Sequence, residues 1–383
     1  MKDTKKKSHK ILFIILGSIV ALVLVAVLII PKILFTDYEG LPTTGQYGVK
    51  QASAILTDES RLETFETDGS HREVPVYFFY PDVETTTAKA ENTDNTFPLV
   101  IFSHGAFGYY QSNASTYLEL ASHGYVVISL DHPYHSFFTK DTAGKTITVN
   151  PQFMQEVMYI NESTTTEQEI IELSHEWLKL RTDDMNFVLD SIKEAKQQGI
   201  QKELPKEWFL AKDASSKEEI LNILAMTDME HIGLMGHSMG GAASVTVGRT
   251  RTDVDAVIDL DGTMLGEQFG YQDGEYDFYD EAYPVPLLVV NNEPHHFEGE
   301  EVQMLYVNRF VLANAVDAKY TYFKGSGHMN FTDLPLFSPV LAGMLGVGEV
   351  DAEECVVKMN QLILDYFNCY LKNMGEVTVN ESY

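Results

Sequence analysis

His231-Ile232-Gly233-Leu234-Met235-Gly236-His237-Ser238-Met239-Gly240-Gly241-Ala242-Ala243-Ser244 decides how the rest of the chain is read. The first five residues form an apolar run that reads as a strand, and the last five carry the small side chains that let a helix open close to it. Between them stands Gly236-His237-Ser238-Met239-Gly240, a G-x-S-x-G. In a strand–turn–helix setting this motif holds the serine on a sharp, strained bend. The flanking glycines let strand and helix approach without a Cβ clash. Ser238 then stands at a helix N-terminus, where amide N–H groups and the dipole favour a developing anion. Ser238 is therefore the candidate nucleophile. The plainer alternative is a Gly-rich turn with a structural use only.

Outward from this turn, short apolar β-branched runs alternate with helical patterns, the sign of a mostly parallel sheet wrapped by helices. The strands expected are Val74–Tyr80, Leu99–Phe102, Tyr125–Leu130, Ile232–Met235, Ala256–Leu260, Leu287–Val290 and Lys319–Phe323. Their near-continuous hydrophobicity fits burial on both faces. The helices expected are Ser112–His123, Glu167–Gln198, Gly240–Arg249 and Ala352–Met374. The polar, weakly periodic stretches Lys140–Thr166 and Gln198–Thr227 are expected outside the sheet. Glu267–Tyr283 mixes acidic and aromatic residues and reads equally well as a lid, a substrate wall or an ordinary surface loop.

A serine hydroxyl needs a general base. On this kind of bend the order along the chain is serine, acid, histidine, which leaves His295, His296 and His328. His328, in Gly325-Ser326-Gly327-His328 just after a late strand, is the candidate base. His295 and His296 lie in Asn291-Asn292-Glu293-Pro294-His295-His296 and read as exposed loop residues. For the acid, Val257-Ile258-Asp259-Leu260-Asp261-Gly262 is a strand with two carboxylates. Asp261 reaches furthest toward the carboxyl end of the sheet, where ligands bind. Glu293 competes with it, and Asp259 reads as structural.

The tetrahedral intermediate of acyl transfer needs preorganised N–H donors. The amide after the nucleophile, Met239, is one candidate. The other is Ala106, in the loop Ser103-His104-Gly105-Ala106-Phe107-Gly108 that follows an early strand. Phe107, in the same loop, and His237, beside the nucleophile, are candidate substrate-lining residues. His104 is expected to be structural. Asp131-His132-Pro133-Tyr134-His135 suggests a metal site but lacks the helix of an H-E-x-x-H motif, so a rim or structural role is expected. No metal and no cofactor are implied.

The chain has 383 residues, a net charge of −29 and two cysteines. That acidity excludes nucleic acid as a partner, and two cysteines exclude a disulfide scaffold. Cys355 and Cys369 sit on one expected helix, too far apart to bridge. Ile11–Ile30 carries no charge and is long enough to span a hydrocarbon core. It is longer than a signal-peptide core and lacks a small-x-small cleavage site. Lys5, Lys6, Lys7 and Lys10 precede it, which keeps the N-terminus cytoplasmic. The organisation expected is a basic tip (1–10), a transmembrane anchor (11–35) and one catalytic domain outside the cell (36–383).

Phe97–Ala106 (FPLVIFSHGA), Leu120–Gly124 (LASHG), Gly236–Gly241 (GHSMGG), Leu260–Gly262 (LDG) and Gly325–Phe331 (GSGHMNF) together resemble the plasma and intracellular type II platelet-activating-factor acetylhydrolases. Arg72–Pro81 (REVPVYFFYP) resembles the opening strand of bacterial relatives. The resemblance spans residues 44–375. It implies an α/β-hydrolase fold with a triad of Ser238, Asp261 and His328, oxyanion amides of Ala106 and Met239, and no metal. It also implies hydrolysis of short-chain acyl esters or of the sn-2 ester of a phospholipid. The loops Phe107–Tyr110 and Glu267–Tyr283 depart from the animal sequences. A peptidase or amidase on the same fold, and a catalytically silent surface binding protein, are the competing readings. Asn330-Phe331-Thr332 is formally a glycosylation sequon and is expected to stay unmodified, because a glycan there crowds His328.

Overall fold

The computed structural model describes residues 29–84, 96–160, 164–198, 204–205, 208, 214–302 and 306–383. The basic tip and residues 11–28 of the expected anchor lie outside that set. Among the described residues no helix is long and apolar enough to cross a membrane. The final turn of the expected anchor is the short helix α1 (Ile30–Leu34), and the chain after it docks on the body. There Phe35 stacks on Phe337 at 6.4 Å, and the Thr36 amide donates to the Phe337 carbonyl at 2.8 Å.

The remaining elements follow in chain order: β1 (Gly48–Leu62), β2 (His71–Asp82), β3 (Phe97–Ser103), α2 (Ala114–Ser122), β4 (Val126–Leu130), β5 (Phe138–Lys140), β6 (Thr146–Thr148), α3 (Pro151–Tyr159), α4 (Glu167–Gln198) and α5 (Lys217–Met226). Then come β7 (Thr227–His237), α6 (Met239–Thr250), β8 (Ala256–Leu260), β9 (Gln268–Gln272), β10 (Glu275–Phe278), β11 (Leu287–Asn292), α7 (Glu293–Val302), α8 (Val307–Ala313), β12 (Ala318–Phe323), α9 (Leu334–Phe337), α10 (Pro339–Met344) and α11 (Ala352–Lys372).

Eight strands form one sheet in the order β1-β2-β4-β3-β7-β8-β11-β12. The first two pairings are antiparallel and the other five parallel. Residues of β3, β4, β8 and β11 are buried throughout, in keeping with their largely apolar sequences. Alternate side chains separate into two cores. Leu99, Ile101, Ile232, Leu234 and Val257 meet α4, α5 and α6 on one face, while Val100, Phe102, Met235, Ile258 and Leu260 meet α2 and α11 on the other. Each fully buried Leu, Ile or Phe stabilises by about 1.5–3 kcal/mol, so both helical layers are firmly held.

Three differences from the sequence reading have physical causes. The opening strand is β1, ahead of Arg72–Pro81; its ends are exposed and polar, as on an edge strand, so no continuous apolar run marks it. The stretch Gln198–Thr227 contains α5, capped by the Ser216 side chain on the Glu219 amide, and it buries Ile220, Ile223 and Leu224 in the core. His295 and His296 stand on a helix, α7, rather than in an exposed loop. The described residues of Lys140–Thr166 lie outside the main sheet as expected, and Glu267–Tyr283 contains a hairpin, β9–β10, tied to α4 by Tyr276 Oη donating to Glu167 at 2.6 Å.

Each edge strand of the sheet is contacted at one place by another segment. On β1, the Ser215 amide donates to the Ser53 carbonyl at 2.9 Å, and the Ser53 amide donates to Ser215 Oγ at 3.1 Å. On β12, the Tyr383 amide donates to Tyr322 and the Lys324 amide to Tyr383, each at 3.0 Å, while the Tyr383 ring stacks on Phe323 at 5.1 Å.

Candidate active site

β7 ends at His237 and α6 begins at Met239, so Ser238 alone makes the turn, at φ +56° and ψ −126°. A non-glycine residue at positive φ is strained and persists only where its surroundings hold it. Here the Ser238 amide donates to the Leu260 carbonyl at 2.8 Å, tying the bend to β8. A Cβ at Gly236 would lie 2.3 Å from the Gly240 carbonyl carbon, and one at Gly240 would lie 2.0 Å from the Ser103 carbonyl oxygen. Backbone packs against backbone at both positions, which is why the motif needs its glycines.

Asp261 follows the end of β8, also at positive φ (+58°), and is 1% exposed. Its carboxylate accepts four N–H donors. Oδ1 takes the Asn292 amide at 2.7 Å and His295 Nδ1 at 2.9 Å; Oδ2 takes Asn292 Nδ2 at 2.7 Å and His328 Nδ1 at 2.6 Å. Burial alone would raise this carboxyl, but the hydrogen bonds from the two imidazoles outweigh it and hold Asp261 well below the usual carboxylate range. For His295, burial pushes down, and the Asp261 carboxylate more than offsets this, leaving the imidazole above its ordinary value. Because His328 donates through Nδ1, its Nε2 is the basic nitrogen. Asp261, His295 and His328 are also close enough together to suggest a cation site. However, the carboxylate's lone pairs are already taken by N–H donors, so the cluster is a hydrogen-bonded one.

The sequence reading did not place His295 in this cluster; the Asn292-x-x-His295 spacing at a helix start was the available signal, since the Asn292 side chain accepts from the His295 amide at 2.6 Å. Glu293, the competing acid, opens α7 and makes no hydrogen bond to Asp261 or His328 among the described residues. Asp259 is structural: burial, then the charge of Asp261, pushes its carboxyl well above the usual range, and it accepts from the Gly262 amide at 3.0 Å.

His237 does not line an open pocket. It is 3% exposed, and its Nε2 donates to the His328 carbonyl at 3.1 Å with the two rings 4.5 Å apart. Burial, reinforced by His328, pushes it down to about 3, so it is a neutral prop for the His328 loop. That loop is pinned a second way. The buried Asn330 side chain accepts from the Gly327 amide at 2.8 Å and the Gly348 amide at 2.7 Å, which leaves the sequon asparagine inaccessible to a glycan.

The loop after β3 passes over the serine bend. A Cβ at Gly105 would lie 3.2 Å from Ser238 Cβ and 2.9 Å from His237 Nδ1. Phe107 sits at φ +61°, with its amide on the His135 carbonyl at 3.1 Å and its ring 5.4 Å from Phe153 of α3. The Ala106 amide has no partner among the described residues. The Met239 amide is the first of α6, one of the N–H groups that a helix leaves without an internal acceptor. Phe107, Ser238 and Asp261, each just beyond the carboxyl end of a sheet strand, all sit at positive φ.

Beneath this loop lies a buried polar network. His104 donates through Nδ1 to the Gly105 carbonyl at 2.7 Å, consistent with a structural role. Burial, then the nearby Arg181, keeps it neutral, well below its ordinary value. His132 Nδ1 donates to Asp184 at 3.0 Å, and its Nε2 meets Ser103 Oγ at 2.9 Å; His135 stacks on Phe153 at 3.7 Å. The histidines of the Asp131–His135 stretch are therefore engaged structurally. Asp184 also takes Arg72 at 2.7 Å and Arg61 at 3.0 Å. Arg181 of α4 donates to the carbonyls of His104 and Gly105. The sequence reading missed it, although an arginine between Leu178 and Met185 on the apolar stripe of α4 is a visible anomaly.

The sheet order, with a positive-φ serine between its central strand and the following helix, defines an α/β-hydrolase-type fold. The same fold is seen in a ferulic acid esterase from Streptomyces cinnamoneus, at a TM-score of 0.61 and 19% identity, covering 89% of this chain and 95% of that one. The model of the platelet-activating factor acetylhydrolase, isoform II family matches residues 78–379, and the chain belongs to that family. Among its relatives, the platelet-activating factor acetylhydrolase of Gallus gallus is 26% identical over 294 residues, covering 72% of this chain and 62% of that protein. The one of Bos taurus is 23% identical over 294 residues, covering 73% and 58%. The chain thus spans about three fifths of the length of these relatives.

Proposed function

We propose that this protein is a serine carboxylic-ester hydrolase that cleaves short-chain acyl esters, including the sn-2 ester of phospholipids, through an acyl-enzyme. The observation that carries the reading is the 2.6 Å hydrogen bond from His328 Nδ1 to the buried Asp261 carboxylate, with the strained Ser238 bend tied by its amide to Leu260, the residue before Asp261. Ser238 Oγ attacks the carbonyl carbon while His328 Nε2 takes its proton. The carbonyl π electrons move onto oxygen, where the amides of Ala106 and Met239 receive the charge; each such donor lowers the barrier by about 3–4 kcal/mol. The intermediate collapses, the ester C–O bond breaks, and His328 returns the proton to the leaving alcohol. Water, deprotonated by His328 Nε2, attacks the acyl carbon; the acyl C–Ser238 Oγ bond breaks, His328 returns the proton to Oγ, and the acid leaves. Asp261 stays ionised throughout and stabilises the imidazolium.

Family membership and the esterase-like fold support this chemistry. A fluorophosphonate probe and a chain-length series of p-nitrophenyl esters, run on wild type and Ser238→Ala with a short-acyl phospholipid included, test it. Labelling and turnover that vanish in Ser238→Ala are expected, with acetyl preferred to octanoyl. An unlabelled, inactive wild type refutes the hydrolase, and a preference for octanoyl refutes the short-acyl pocket.

The uncharged run Ile11–Ile30 behind a lysine-rich tip supports membrane anchoring with the catalytic body outside the cell. Protease shaving of intact cells is expected to release the body; a fully protected body refutes that orientation.

A further inference from the structure

Arg181 is a large side chain with 0% exposure, and among the described residues it has no carboxylate within ion-pair distance. The nearest acid, Asp184, is occupied by Arg72, Arg61 and His132. Burial pushes the guanidinium down to about 9, against the pull of Asp184. Enclosing a cation without a counter-ion is costly, so what it touches matters. Its Nη1 donates to the His104 carbonyl and its Nη2 to the Gly105 carbonyl at 3.4 Å. His104 Nδ1 reaches the same Gly105 oxygen at 2.7 Å.

The Gly105 carbonyl and the Ala106 N–H belong to one peptide unit. In a trans peptide they point in opposite directions. Two donors that hold the oxygen toward the interior therefore turn the N–H outward, on the loop that passes 3.2 Å (as a Gly105 Cβ) from Ser238 Cβ. A cation on the oxygen side also polarises the amide and strengthens it as a donor.

We propose that Arg181 is a positioning residue: together with His104 it fixes the Gly105–Ala106 peptide so that the Ala106 amide is preorganised for the oxyanion. This inference rests on the hydrolase reading. It predicts an effect on the transition state and not on substrate binding, because Arg181 is sealed from the substrate. Lysine cannot replace it fully, since one ammonium on a flexible stem lacks the planar fork that spans two adjacent carbonyls.

The test measures kcat and KM for p-nitrophenyl acetate in wild type, Arg181→Met, Arg181→Lys and Arg181→Ala, with thermal unfolding of each. Arg181→Met is expected to lose 10²–10³-fold in kcat with KM within threefold, the size of losing one oxyanion donor. Arg181→Lys is expected to retain more activity and still lose at least tenfold; it carries the test if the methionine variant does not fold. Millimolar methylguanidinium is expected to restore kcat in Arg181→Ala and leave wild type unchanged. Folded variants with kcat within threefold of wild type, or a loss confined to KM, overturn the proposal. A wild type that neither turns over the ester nor labels with fluorophosphonate overturns the hydrolase reading instead, so the two failures are distinct.

Discussion

Replacing Asp261 by Asn changes one oxygen to an NH₂ group and tests the centre of the proposed site. All four groups facing the carboxylate are N–H donors: the Asn292 amide and His295 Nδ1 on Oδ1, Asn292 Nδ2 and His328 Nδ1 on Oδ2. Whichever way the new amide turns, its NH₂ meets two donors. On the Oδ1 side one of them is a backbone N–H that cannot move, so the NH₂ takes the Oδ2 side. Asn292 cannot flip to oblige it, because its own Oδ1 accepts from the His295 amide at 2.6 Å. His328 is the group that yields: its Nδ1 becomes the acceptor and the proton moves to Nε2, the nitrogen that must take the serine proton. Loss of that tautomer costs about 10³–10⁴-fold in kcat, or about 4–5.5 kcal/mol of barrier. KM for p-nitrophenyl acetate is expected to stay within a few-fold. The unsatisfied Asn292 Nδ2 adds about 1–3 kcal/mol of destabilisation, read by urea unfolding. The assay is steady-state hydrolysis normalised by active-site titration, with Ser238→Ala as the blank. A folded Asp261→Asn with kcat within tenfold of wild type refutes the tautomer argument and with it the role of Asp261.

Three further outcomes are expected. His237 is held at about 3, below its unfolded value, so the stability it contributes is complete above about pH 6.5 and falls away as pH drops toward 3. His237→Gln lacks that term; the wild type's advantage over it should be about 2 kcal/mol smaller at pH 5 than at pH 8 in urea melts, and a pH-independent difference contradicts the assignment. His295 is raised above its unfolded value by Asp261, so its contribution is present below about pH 6.5 and is lost as pH rises through the folded value. His295→Gln should cost more stability at pH 6 than at pH 9 in urea melts, and equal losses speak against a charged His295. Finally, a Cβ at Gly240 would stand 2.0 Å from a backbone oxygen, whereas one at the exposed Gly343 of α10 meets nothing within 4 Å. Gly240→Ala should destabilise by about 3 kcal/mol or more and abolish turnover, while Gly343→Ala should stabilise by about 0.5–1 kcal/mol; similar melting temperatures for the two would contradict the close packing at the bend.

How far the sequence could be read depended on whether a residue's role left a local mark. The buried parallel strands were legible because two covered faces demand unbroken apolar runs, and α4 and α11 because 3.6-residue periodicity persists over many turns. Ser238, Asp261 and His328 could be singled out as candidates because strand ends and glycines lie close to each of them. β1 was not legible, since this edge strand is polar and exposed at both ends and leaves only a short apolar middle. Nor was the part played by His295 or Arg181. Both act on residues far away in the chain, at Asp261 and at the Gly105 carbonyl, and only the folded sheet brings those partners together. The burial of His237 was not legible either: it stands next to Ser238 in the chain, yet the fold turns it inward onto the His328 carbonyl.

The caps on β1 and β12 have a consequence for how this molecule meets others. An open sheet exposes a ladder of unpaired amides that a neighbouring molecule can extend. Here the loop at Ser215 blocks one margin and the residues around Tyr383 block the other. Growth of the sheet is therefore obstructed at Ser53 on one margin and at Tyr322 and Lys324 on the other. Clipping the final three residues would uncover Tyr322 and Lys324 at the end of β12 and leave their backbone groups open to pairing with another strand.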